Sequence, residues 1–97
     1  MSLDVTLRGI LERDIDSIIE GIPQLIEVHR KDKIPEMKIT TEQDYILGLA
    51  HGTIMGSFIS TYRAINKDNP SLQVLQESGS VMYRRTRDIL AAIDKAG

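Results

Sequence analysis

Between Tyr45 and Tyr62 the chain runs for 18 residues without a formal charge, and inside that run Gly48, Gly52, Gly56 and Ser60 recur at every fourth position. Apolar residues in and beside the run, Leu47, Ile54, Phe58 and Ile65, fall at helical spacing. An interior glycine costs a helix roughly 1 kcal/mol relative to alanine, so the three together give up about 3 kcal/mol of propensity. Packing must offset that loss. A row without side chains is a groove into which a second helix can sink, gaining dispersion contacts and weak Cα–H···O contacts.

A charge-free run of this length lies near the lower limit for a membrane-spanning helix. His51, three glycines and six Ser, Thr or Tyr residues dilute its apolarity. The rest of the chain also supplies amphipathic segments that can cover it in water. The membrane reading is therefore set aside.

Those segments are helical as well. From Asp4 to Lys33, Leu11, Ile15, Ile18, Ile22 and Leu25 alternate in steps of four and three, widened by Ile19 and Ile26. Pro23 removes the donor for the Ile19 carbonyl, which predicts a kink or break near Gly21. Residues Asp32 to Ile39 have no helical period and read as the first connection. The second helix begins at Thr40 or Thr41, with Asp44 completing a relaxed capping box, and runs to about Asn66. A turn at Lys67–Asp68–Asn69 leads, with Asn69 as cap and Pro70 at the first position, into a third helix carrying Leu72, Leu75, Met82, Ile89 and Ile93. The expected fold is an all-α antiparallel three-helix bundle filling residues 1–97, with four helices if Pro23 splits the first.

Loop position brings Gly56 opposite Gly79, within Ser78-Gly79-Ser80, so the second and third helices are expected to cross closely there. On this reading the core arc of the second helix is Leu47, His51, Ile54, Phe58, Tyr62 and Ile65. A further arc of Ile46, Ala50, Thr53, Ser57, Thr61 and Ala64 is small and uncharged, where a helix facing water normally carries Lys, Glu or Arg. A homodimer through the second helix is the expected cover for it.

Chemistry is harder to find. His51, with Tyr62 and Asp44 on the same helix and Pro23 opposite, marks the expected pocket, yet Asp44 lies about 10 Å from His51 along the axis and cannot orient it. The stripe Glu12, Asp16, Glu20 lacks a Glu-x-x-His pair, so no metal site and no cofactor are assigned. Arg84, Arg85 and Arg87 beside Tyr83 form the densest basic cluster. They suggest phosphate contact, but the same acidic stripe offers them ion-pair partners and the net charge is −2. His29 ends the first helix beside Arg30 and Lys31, where cations suit the dipole. Ser57 and Ser60 have no turn or neighbouring base to make either a nucleophile, and no catalytic residue is assigned. The absence of cysteine suits a reducing interior, hence a cytoplasmic expectation.

The sequence thus points to a self-associating helical bundle that works by binding, not catalysis. The alternatives are a nucleic-acid-binding dimer using the arginines, and a metal- or small-ligand-binding protein or enzyme centred on His51. Its small-molecule ligand is not legible.

Overall fold

The computed structural model describes residues 3–32 and 34–97. Met1, Ser2 and Lys33, which the expected domain and first segment included, lie outside them. Four helices follow in order: α1 (Val5–Lys31), α2 (Glu42–Asn66), α3 (Leu72–Arg84) and α4 (Thr86–Ala96). There is no strand among the described residues.

Contacts near the helix ends set the directions. Arg30 meets Glu42 at one end of the α1–α2 pair, and Ser57 donates to Asp14 farther along, so the two are antiparallel. Glu77 accepts from the Leu3 N–H while Arg85 reaches Glu12 and Asp16, so α3 and α4 follow each other up the bundle alongside α1. Helices α1, α2 and α4 pack together.

Four helices form, but the break is not at Pro23. Helix α1 passes through Pro23 without interruption. Its ring stands on the exposed side of the helix, so the proline is carried without a break in the helical run. The interruption comes at Arg85, whose backbone (φ −93°, ψ 2°) leaves helical geometry between α3 and α4. No proline or glycine marks it. Side-chain chemistry does: Arg85 Nε donates to Asp88 in the first turn of α4 (2.7 Å), and its guanidinium reaches across to Asp16 (2.7 Å) and Glu12 (3.3 Å) on α1.

Capping also departs from expectation in two places. Thr41 precedes α2 but makes no side-chain cap bond, and the last turn ends on Lys67 in the left-handed region (φ 57°). Helix α3 starts at Leu72 with Ser71 accepting from the Val74 N–H (3.2 Å), while Asn69 instead accepts from Arg63 (2.6 Å). Asp4 caps α1 by accepting from the Leu7 N–H (2.8 Å).

The core runs through all four helices as one cluster. From α1 it takes Leu7, Leu11, Ile15, Ile22 and Ile26, with Ile18, Ile19 and Leu25 at its edge. From α3 and α4 come Val74, Val81, Met82, Ile89 and Ile93; Leu72, expected inside, is exposed. Ser78 is fully buried, its hydroxyl satisfied by the Leu75 carbonyl (2.9 Å), and its small size lets α3 sit close.

Helix α2 contributes Ile46, Ala50, Ile54, Phe58 and Tyr62, one row in steps of four. This face is rotated by roughly 40° from the expected one, at 100° per residue. Ile46 and Ala50, assigned to an outer arc, are fully buried; Ile65, assigned to the core, is exposed. The rotation follows from neighbours on both flanks. Ser57 faces α1 through Asp14, and His51 faces α4 through Thr86, so the buried face centres between them.

The glycine row therefore points outward. It is displaced by two residues from the core row, which is about 200° around the helix. A Cβ built at Gly48, Gly52 or Gly56 would meet no heavy atom within 4 Å. The expected crossing of Gly56 against Gly79 is not made: Met55, not Gly56, faces the shallow hollow beside Gly79 and Met82.

Candidate binding surfaces

Two surfaces are left open by this packing. The first is the outer face of α2. Gly48, Gly52, Gly56 and Ser60 are exposed along it, bordered by Leu49 and by the half-buried Tyr45 and Ile59. No charged residue occurs on α2 between Asp44 and Arg63. Polar groups on its flank are already engaged, Thr53 with the Leu49 carbonyl (2.8 Å) and Ser57 with Asp14 (3.1 Å). Thr61 is half-buried, and Ala50 lies inside the core. Of the arc expected to meet another chain, Thr53 and Ser57 remain exposed, while the glycines and Ser60, expected to lie against the third helix, face outward instead.

The second surface is a cavity of about 760 Å³ between the C-terminal half of α1, the connection after it and the first turns of α2. Ile34, Pro35, Met37 and Ile39 from the connection form one wall, facing Leu25 and Val28 of α1 and Leu49 of α2. Four of these, Val28, Ile34, Met37 and Leu49, are exposed large apolar side chains. Solvating that many apolar groups around one concavity is unfavourable, and filling it would recover part of that cost.

At its polar end stand His29, Glu42 and Tyr45. The His29 side chain is only 9% exposed, and its Nε2 lies 3.8 Å from Glu42, beyond hydrogen-bond reach. Its ring packs against Tyr45 at a centroid separation of 4.7 Å. Glu42 is held from outside by a two-pronged pair with Arg30 (2.7 and 3.1 Å), which raises the Arg30 pKa.

Nothing in the sequence periodicity located this site. The available signal was the apolar content of a connection: Ile34, Met37 and Ile39 are unusual in a loop facing water. The pocket expected between Pro23 and His51 is not where the cavity forms. Neither residue lines it, nor does Tyr62; Asp44 lines a separate shallow hollow beside Tyr45. Tyr62 is buried against Phe58, ring centroids 6.3 Å apart.

His51 sits on the other flank of α2. Its Nε2 is 3.4 Å from the Thr86 hydroxyl, and Tyr83 meets the ring edge-on at 5.7 Å. Partial burial lowers its pKa from the ordinary 6.5. The unfolded chain therefore takes up this proton first on acidification. The stability tied to neutral His51 is complete above about pH 6.5 and declines as the pH falls below it, levelling off below the folded-state pKa. Urea melts across this range should show the decline, and His51→Gln should flatten that part of it. A profile unchanged by the substitution would remove His51 as the source.

The arginine cluster is divided by its surroundings. Arg85 is drawn inward by Asp16, Asp88 and Glu12, which keep its guanidinium still more firmly protonated. Arg84 and Arg87 remain exposed. The acidic stripe thus supplies two of Arg85's partners, and Glu20 is not among them. Exposed pairs are individually weak, but three on one guanidinium at a helix junction should matter more. Arg85→Met is expected to lower stability by ~1–2 kcal/mol, with the difference shrinking in high salt. Denaturation at low and high ionic strength measures both.

Among the described residues no three His, Cys, Asp or Glu side chains converge to hold a metal ion. No helix is long and apolar enough to cross a membrane among the described residues. No family model, no curated protein and no solved structure matches the chain.

Proposed function

We propose that this chain is a self-associating interaction module whose partner is a second copy of itself, seated on the outer face of α2. The observation that carries this reading is the position of the glycine row, opposite the buried row and, among the described residues, with no heavy atom within 4 Å of where a Cβ would stand. Three glycines weaken the helix that forms the centre of the core, and a Cβ at any of them would meet nothing among the described residues. A helix laid against this face would approach more closely than the usual 8–10 Å between axes, because only hydrogens stand between the backbones. The absence of charge along the face removes the desolvation penalty that Lys or Glu would impose there.

A two-fold arrangement suits the face because it is self-complementary. Two α2 helices crossing near Gly52 and Gly56 would place the bulkier Leu49 and Ile59 of each copy around the other's groove. Sedimentation velocity of the native chain at micromolar concentration should give twice the chain mass. A strictly monomeric chain up to millimolar concentration would refute the reading.

A further inference from the structure

We infer that the cavity between α1, the connection and α2 is a binding site for a small amphipathic amine, with the apolar body in the cavity and the ammonium at the α1 C-terminus. This goes beyond self-association and uses a different surface.

The size, lining and charge of the cavity define the ligand. The volume of about 760 Å³ lies within the ~300–1,000 Å³ of small-molecule sites. Its wall of Ile34, Met37, Val28 and Leu49 accepts hydrocarbon and little else. At the polar end, the largely buried His29 ring packs on Tyr45.

Charge decides the sign of that group. The formally charged residues lining the cavity, among those described, are Asp32 and Glu42, both acidic. Glu42 is matched by Arg30 outside the cavity; Asp32 carries no ion pair among the described residues. Asp32 is also the C-cap of α1, which fixes this carboxylate-bearing residue at this end of the cavity. The ring of Tyr45 adds a face on which a cation is favoured. An ammonium thus has a carboxylate and an aromatic face within one pocket end.

The test uses the full chain, labelled with nitrogen-15, titrated separately with octylamine, octanol and octanoate below their micelle concentrations. Octylamine should give saturable amide shifts centred on Val28, His29, Ile34, Met37 and Leu49, at least about tenfold tighter than octanoate. Asp32→Asn should bring octylamine close to octanol. A second variant guards against misfolding. Gly21 lines the cavity, and a Cβ there meets nothing within 4 Å. Gly21→Leu should therefore fold at least as stably as the parent while filling the cavity and abolishing the octylamine shifts. Equal binding of all three probes would reduce the cavity to a greasy cleft, and a preference for octanoate would reverse the charge assignment. Absent binding, or shifts centred on Gly52 and Gly56, would equally overturn the proposal.

Discussion

Gly52→Lys combined with Gly56→Lys should yield a chain that no longer self-associates but, as a monomer, is more stable than its parent. Ordinary surface changes rarely do both. Each lysine replaces a poor helix former with a good one at a position where a Cβ meets nothing, so the pair should add about 1.5 kcal/mol to the isolated fold. In the associated state the same side chains fill the groove and bring like charges together across a two-fold axis. Two measurements separate these effects. Sedimentation should show the parent dimer replaced by monomer. Urea melts at a concentration where both proteins are monomeric should favour the variant, and the parent alone should gain stability with concentration. A variant that keeps the dimer mass would show that the face is not the interface. A destabilised monomer would show that something within the chain occupies the groove after all.

Phe58→Ala should cause the largest loss of fold stability of any single truncation. Phe58 is the largest of the fully buried side chains and lies in the core row of α2, between Ile54 and Tyr62. Removing its ring forfeits apolar burial and the contact with Tyr62, and leaves a cavity that rigid helices on either side cannot fully close. The expected cost is ~3–5 kcal/mol, set against the ~5–15 kcal/mol that holds a domain of ordinary size. The urea midpoint should fall accordingly, with thermal melting shifted by tens of degrees or lost. A change under about 1 kcal/mol would mean that Phe58 is not at the centre of this core. That outcome would also displace the row defining α2's outer face.

The helices themselves were legible from local chemistry. The start of α1 near Asp4 and the turn after Asn66 could be placed, because helix starts and turns depend on residues within a few positions of each other; the caps could not, since Thr41 makes no cap bond and Ser71, not Asn69, caps α3. The stripe of α1 was readable for the same reason: its apolar residues occupy a narrow arc, so only one face can be buried. The pairing of an arginine with Glu12 and Asp16 followed from charge and bundle geometry. The helix break at Arg85 did not, since it rests on three carboxylates, two of them on α1, more than 60 residues away in the chain.

Helix α2 marks the boundary between the two kinds of information. Apolar and small residues surround nearly its whole circumference, so periodicity alone permits several buried faces about 40° apart. The sequence by itself determined that α2 is a helix, that its middle carries no charge and that its glycines share one side. Only the tertiary structure decided which side. Ser57 against Asp14 and His51 against Thr86 pin the helix from both flanks, turn Ile46 and Ala50 inward, and leave the glycines facing out. The cavity at His29 has the same origin: an apolar connection becomes a wall only when two helices hold it over a third surface. Spacing specifies which residues travel together. Contacts from distant parts of the chain specify where they point.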